Sequence, residues 1–255
     1  MKAGMRERLF IIVKTICATL LISLASLHDT RRSRLTRERC DKRLRWWSSK
    51  LLSFVSLSFR TFNPHHVEFP PDRPTIIMSN HSSLYDIPLI FASLPGSIRM
   101  IAKKELFETP LWGRGMKVAE FIPIDRDNRR QAFRDLEEAR KKMESGIILW
   151  VAPEGTRSLT GELYPFKRGG FMLAQKTGAT IIPVGIRGAY DVLPAKTYNF
   201  NIGRRAEIHI GEPIDARKFP KKGIDALMSE VELQIRRLGD LPIRSTVRNG
   251  RSFNT

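Results

Sequence analysis

The sequence predicts an α/β fold, a mixed sheet flanked by helices, preceded by an N-terminal membrane-associated helical pair. Three observations carry that prediction. Short apolar runs bounded by Pro and Gly, among them Ile147–Val151 and Thr180–Ile186, alternate with stretches of helical periodicity, which is the pattern of a sheet with helices on its faces. A chain of 255 residues with 42% hydrophobic content can bury a sizeable core. The first fifth of the chain joins apolar runs to a dense basic cluster, and that combination matches a membrane–water interface.

Composition excludes several classes. The apolar content rules out disorder of the whole chain. With 17 Gly and no recurring unit, collagen, coiled-coil and repeat architectures are also excluded. Two cysteines, Cys17 and Cys40, supply neither a disulfide framework nor a zinc cluster and fit a reducing compartment. Lys and Arg exceed Asp and Glu by 44 − 26 = 18, so an anionic partner is expected.

Half of that excess lies in residues 1–50, where thirteen Lys/Arg face four Asp/Glu. The densest part runs from Arg31 to Arg45 and ends at Trp46-Trp47, with apolar runs Leu9–Leu27 before it and Leu51–Phe62 after it. A basic nucleic-acid tail does not come bracketed in this way, so no nucleic-acid partner is expected; a solvated basic helix is the plainer alternative. Leu9–Leu27 has 19 residues, close to the ~20 of a spanning helix. It contains Lys14, Thr15, Thr19 and Ser23, and cations lie on both sides of it. We therefore expect residues 1–62 to anchor in one leaflet, monotopic or as a single anchor. A cleaved leader has a similar basic-then-apolar start.

The following elements are expected in order. Residues 63–73 carry Pro64, Pro70 and Pro71 and read as a linker, followed by an α/β domain over 63–243. Pro74–Met78 reads as a buried strand and Ser83–Leu94 as a helix stopped by Pro95-Gly96. Ser97–Ala102 and Phe121–Ile124 read as strands. Arg129–Ser145 is the clearest helix, with Phe133, Leu136, Arg140 and Met143 on one face and Gly146 after it. Ile147–Val151 is a fully apolar strand, Gly170–Lys176 a helix closed by Gly178, and Thr180–Ile186 a buried strand. Ala206–Ile210 alternates as a half-exposed strand with His209 on its exposed face. Asp225–Leu238 is a last amphipathic helix, facing inward through Leu227, Val231 and Ile235. Residues 244–255 form a basic flexible tail.

Three polar patches fall at the C-terminal ends of predicted strands, where open α/β folds place ligands. The first is Asn80-His81-Ser82-Ser83-Leu84-Tyr85-Asp86. On one continuous helix the five-residue step from His81 to Asp86 would leave them about 140° apart. With His81 on a turn and Ser82 or Ser83 capping the helix, Asp86 can reach the imidazole, accept its Nδ1 proton and leave Nε2 as a base. The second patch ends in Asp125-Arg126. The third is Glu154-Gly155-Thr156-Arg157-Ser158, where Gly155 permits close backbone approach and Arg157 offers a fork for phosphate. Taken singly, these are equally the marks of capping residues and loop salt bridges. Lys103-Lys104 adds further cations. There is no G-x-S-x-G elbow, P-loop, G-x-G-x-x-G or zinc spacing.

These blocks resemble the glycerolipid acyltransferases, most like the bacterial 1-acyl-sn-glycerol-3-phosphate (lysophosphatidic acid) acyltransferase group. Asn80-His81-x₄-Asp86, Phe121–Arg126, Glu154–Ser158 and Ile181-Ile182-Pro183-Val184 stand in the family's order and spacing, and the resemblance spans about residues 70–215. It implies His81 as general base oriented by Asp86. It implies an acceptor phosphate held by Glu154, Gly155, Thr156, Arg157, Arg126 and Lys104, and an acyl pocket shaped by Pro183. It further implies acyl transfer from acyl-CoA or acyl-carrier protein to a membrane lipid acceptor, with no cofactor and no metal, at an anionic membrane surface on the cytoplasmic face. Backbone N–H groups near Gly155 are the expected oxyanion donors. Another acceptor (glycerol 3-phosphate, a lysophospholipid or a lyso-aminolipid) is the competing reading, and a non-catalytic basic membrane-binding protein is the reading from a different class. The last leaves the ordered blocks without a purpose.

Overall fold

The computed structural model describes residues 1–69, 73–125 and 128–242. Arg126 and the expected tail from 244 lie outside the described residues, as does the side chain of Phe133.

The chain opens with α1 (Met5–Arg31) and α2 (Arg37–Phe54), and the sheet begins at β1 (Ser58–Phe62). Thereafter come β2 (Thr75–Ser79), α3 (Asp86–Ser93), β3 (Ile98–Lys103), a 3₁₀ turn at Lys104–Glu108, α4 (Trp112–Val118), β4 (Ile122–Ile124) and α5 (Arg129–Glu144). The rest is β5 (Ile148–Val151), α6 (Gly169–Thr177), β6 (Thr180–Arg187), α7 (Ala189–Val192), β7 (Arg205–Ile210), β8 (Ile214–Asp215) and α8 (Ile224–Gly239). The sheet is mixed, in the order β1-β7-β6-β2-β5-β3-β4, with β8 beside β6. From β6 to β4 the neighbours are parallel, so the C-terminal ends of β2, β5, β3 and β4 share one edge.

Strand alternation divides the core into two layers. In β2, Ile77 faces one layer while Ile76 and Met78 face the other; in β5, Ile148 and Trp150 face the first and Leu149 the second. The first layer is covered by α1 to α4 and the second by α5, α6 and α8. The close packing of α8 depends on Gly185, where an added Cβ would lie 2.2 Å from the Leu238 carbonyl carbon. Pro183 sits where β6 changes partner from β8 to β7, and its carbonyl accepts from Gly211 N–H on that side. The donor that proline lacks therefore falls in a gap between two pairings.

Several expectations are corrected. The apolar run 51–62 is not helical throughout: α2 ends at Phe54, and Ser58–Phe62 pairs in parallel with β7. Phe62 stacks on His209 at 4.6 Å, so His209 is largely covered rather than exposed. Arg140 does not face inward; it pairs with Glu137 and Glu144, and the buried face of α5 is carried by Ala139 and Met143. The 3₁₀ turn and α4 have no helical period in the sequence. The glycines of α4 serve contact instead, since a Cβ on Gly115 would lie 2.6 Å from Cβ of Ser23 in α1.

Within the anchor, α1 is long and apolar enough to cross a membrane, with a mean hydropathy of 2.2 over its best window. Leu9, Phe10, Val13, Ile16, Leu21 and Leu24 are exposed on it. Polar groups hold α1 to α2: Trp47 Nε1 donates to Thr19 Oγ1 at 2.9 Å, and Arg39 and Arg43 both reach Asp29. A buried ion pair then holds α2 to the sheet. Arg99 of β3, with no exposed surface, donates to Asp41 Oδ1 at 2.6 Å, and Ser97 Oγ donates to Asp41 Oδ2. Arg37 pairs with Glu120 beside it.

Asp41→Ala leaves the Arg99 guanidinium buried without its carboxylate, which costs about 3–5 kcal/mol. Urea unfolding of the solubilised protein should show the lowered midpoint at unchanged slope, and Asp41→Ala/Arg99→Met should recover part of the loss. Equal midpoints for wild type and Asp41→Ala would contradict this account of how α2 is held.

Candidate active site

Four strand ends converge on one edge, and the loops after them bring the polar patches together. After β2, Asn80 uses both ends of its amide on β6: Nδ2 donates to the Ile186 carbonyl and Oδ1 accepts from Ile186 N–H, each at 2.8 Å. This fork fixes the point at which the chain leaves the sheet. His81 follows, and its ring stands edge-on to Trp150 with centroids 5.9 Å apart. Trp150 is itself held by its Nε1 donating to Ser79 Oγ.

Asp86 is fully buried as the first residue of α3. Its Oδ2 accepts from His81 Nδ1 at 2.7 Å and from the backbone N–H groups of Ser82 and Ser83 at 2.8 Å each. With two amides already donating to this oxygen, it serves as an acceptor, so the imidazole proton belongs on Nδ1. Nε2 is then the basic nitrogen, on a ring that lines the groove described below. The serines act differently from expectation. Neither caps α3 by its side chain; Ser83 Oγ accepts from Tyr85 N–H and donates to the Leu193 carbonyl.

Glu154, after β5, is buried and turned away from the groove. Its Oε1 accepts from His81 N–H and its Oε2 from Tyr164 N–H, both at 2.8 Å. This corrects its expected place in the phosphate site: a carboxylate with both oxygens on backbone amides braces the His81 turn. The same turn is bolted a second time, because Ser158 N–H donates to the His81 carbonyl at 2.8 Å. Gly155 has φ +70°, a conformation that favours glycine. Its N–H donates to Ala152 and is not available as an oxyanion donor. The N–H groups of Thr156 and Arg157 carry no partner among the described residues.

A groove of about 1850 Å³ opens at this edge. His81, Gly155, Thr156 and Arg157 line it. Its apolar wall comes from α1, α2 and α4 as well as α3, through residues such as Leu20, Trp47, Phe91 and Met116. Two expected contributors do not reach it. Lys104 is outside the lining and is paired with Asp125 at 2.7 Å, whereas its neighbour Lys103 lines the groove. Pro183 lies within β6 beside Gly211 and is not part of the acyl-sized wall. Arg126 lies outside the described residues. Arg157 lines the groove with no ion pair or side-chain hydrogen bond among the described residues. Sequence reasoning missed Trp150 as the support of the imidazole and Lys167 as a groove cation; the latter had a faint signal in Lys167-Arg168-Gly169-Gly170 opening a helix.

Comparison with known proteins places this geometry. Residues 62–187 match the acyltransferase family model. A 168-residue stretch is 33% identical to sheep 1-acyl-sn-glycerol-3-phosphate acyltransferase alpha, covering 66% of this chain and 58% of that protein. A 196-residue stretch is 30% identical to the chloroplastic 1-acyl-sn-glycerol-3-phosphate acyltransferase LPAT1 of Arabidopsis thaliana, covering 76% of this chain and 53% of that one. The chain thus spans little more than half the length of these relatives. The crystal structure of the 1-acyl-sn-glycerophosphate (LPA) acyltransferase PlsC from Thermotoga maritima superposes with a TM-score of 0.76 at 28% identity, over 92% of this chain and 95% of that one.

Burial pushes the Glu154 carboxyl up to about 7, against the pull of the Tyr164 and His81 amides. Unfolded, the same group ionises near the ordinary glutamate value. Between about pH 4.5 and 7 the folded protein therefore holds a proton that the unfolded chain has released. The stability linked to Glu154 is full below that window and falls across it as pH rises, by roughly 3 kcal/mol at about 1.4 kcal/mol per unit. Glu154→Gln should flatten this fall, read as the difference in unfolding free energy between the two ends of the window. An unchanged pH profile would show that the carboxyl titrates elsewhere.

Proposed function

Residues 62–187 make this chain a member of the acyltransferase family, and from that premise we propose that it transfers a fatty acyl group from a thioester donor to the free hydroxyl of 1-acyl-sn-glycerol 3-phosphate, forming phosphatidic acid. The donor in this reading is acyl-CoA or acyl-carrier protein, and the reaction uses no cofactor or metal. The observation that carries it is the His81–Asp86 contact at 2.7 Å on the wall of a groove that also presents Arg157.

The chemistry follows from those residues. A lipid hydroxyl is a weak nucleophile near neutral pH. His81 Nε2 removes its proton as the new O–C bond forms to the thioester carbonyl, while Asp86 stabilises the imidazolium through Nδ1. The tetrahedral oxyanion then collapses, the C–S bond breaks, and the proton held by His81 passes to the departing sulfur. No acyl-enzyme is needed, and Ser83 Oγ is committed to the Leu193 carbonyl. The N–H groups of Thr156 and Arg157, without partners among the described residues, are the donors this reading assigns to the oxyanion. Arg157 holds the acceptor's phosphate and so orients the attacking hydroxyl, a contribution that can exceed that of the base.

The anchor complements this role. The exposed apolar side chains of α1 and the basic stretch after it suit an anionic membrane surface, where acceptor and product both reside. With a donor drawn from the cytosol, this reading sets the mouth of the groove on the cytoplasmic face. Residues 1–57 supply the membrane-facing helices, and the sheet from residue 58 onward supplies the catalytic domain.

His81→Ala should lower transfer at least 10²-fold, in line with loss of a general base, with flotation on anionic liposomes unchanged. Turnover above a few per cent of wild type would count against the assignment. Arg157→Ala should raise KM for phosphate-bearing acceptors about tenfold or more, as expected for a lost charge-assisted contact. A panel of glycerol 3-phosphate, lysophospholipids and a lyso-aminolipid checks the acceptor: an unchanged KM for the phosphomonoester would point to one without phosphate.

A further inference from the structure

Six cationic side chains line the groove: Arg43, Lys103, Arg157, Lys167, Arg168 and Lys176. Four of them are neutralised in place. Arg43 pairs with Asp29, Lys103 with Glu105, Arg168 with Asp225 and Lys176 with Glu137. Among the described residues, the side chains of Arg157 and Lys167 have no hydrogen bond or ion pair. Lys167 was not singled out by any motif, yet the structure holds it closely. Its N–H donates to the Pro153 carbonyl at 2.8 Å, which ties its backbone to the loop that carries Gly155 and Arg157. Its side chain then runs across the open face of Gly155. A Cβ added at Gly155 would meet Lys167 Cδ at 2.9 Å, Cε at 3.0 Å and Nζ at 3.2 Å. The missing Cβ is therefore the seat of the lysine, and the ammonium ends against the backbone two residues before Arg157.

Two uncompensated cations on the one connection between β5 and α6, lining the groove that His81 also lines, raise the local potential for an anion. The pair is also complementary in kind. Arg157 offers a planar fork and Lys167 a compact charge with rotatable donors, which together suit the several oxygens of one phosphate. We propose that Lys167 is a second phosphate-gripping cation of this site, acting beside Arg157. The assignment rests on the acyltransferase reading above and extends it. Both substrates carry phosphate: the acceptor as a phosphomonoester, and the donor in its coenzyme or carrier arm. A substitution at Lys167 can tell them apart.

The test uses the full chain in mixed micelles, with Lys167→Met and Lys167→Arg. Lys167→Met should raise KM for the lysophosphatidate acceptor about tenfold, equivalent to about 1.4 kcal/mol of binding, with kcat changed less than threefold; Lys167→Arg should restore most of the affinity. The donor arm compares acyl-CoA with the matching phosphate-free acyl-N-acetylcysteamine thioester. If only the KM for acyl-CoA rises, the gripped phosphate is the donor's, and the phosphate role stands with that source. If neither phosphate-bearing substrate shifts by more than twofold in an active preparation, or if KM rises equally for the phosphate-free thioester, the Lys167 assignment is overturned while the acyltransferase reading stands. A wild-type chain without transfer, or a fully active His81→Ala, overturns both.

Discussion

Two buried carboxylates set the geometry of the strand-end loops, and neither faces the groove. Asp86 gathers the imidazole and two amides of the turn that precedes it. Glu154 gathers the amide of His81 and that of Tyr164. Between them they convert a mobile kind of segment, a turn after a strand, into one with few alternatives. The positions of the imidazole, of Arg157 and of the amides around it all follow from that bracing. Burying two carboxyl groups at one site is costly unless donors meet them; Asp86 Oδ2 and both oxygens of Glu154 are met, while Asp86 Oδ1 is buried without a hydrogen bond. Four of the five donors that do reach these carboxyl groups are backbone N–H groups, so side-chain variation around the loops leaves the bracing intact.

The central strands were legible because they are apolar on both faces and punctuated by Gly or Pro. Ile147–Val151 and Thr180–Ile186 are found within one or two residues of their expected ends. Helices with a strong period, such as α5 and α8, were equally readable. Segments whose structure is decided by distant partners were not. Ser58–Phe62 becomes a strand because β7 offers an edge, and α4 forms with two glycines because α1 and the Phe107 turn press against it. At the site, His81, Asp86 and Arg157 announce themselves by residue type and spacing. Glu154 was assigned to the wrong partner because a sequence does not tell whether a carboxylate points outward to ligand or inward to amides. Lys167 left only a faint mark in the sequence because its significance lies in the Cβ that Gly155 lacks.

The helical pair lines the groove as well as carrying the exposed apolar side chains of α1. α1 and α2 supply one wall of the groove, and the sheet-end loops supply another. The contact between the two parts is polar at its centre, through Asp41 and Arg99, and apolar around it. A buried ion pair of this kind contributes little net stability against an apolar substitute, but it tolerates few wrong registers. The apolar wall is thereby held at a defined place in the groove that His81 lines.

The contact between His81 and Asp86 also limits how this stretch can diverge. Four residues separate them, and the backbone of two of those four, Ser82 and Ser83, is bonded to the same carboxylate oxygen that holds the ring. Deleting or inserting a single residue there would swing the acid by about 100° around the start of the helix and break all three bonds at once. Letters can change, most freely at Leu84, which is 48% exposed, but length cannot. Drift through this segment is confined to replacement in place, while indels belong to outlying loops such as the one between α7 and β7.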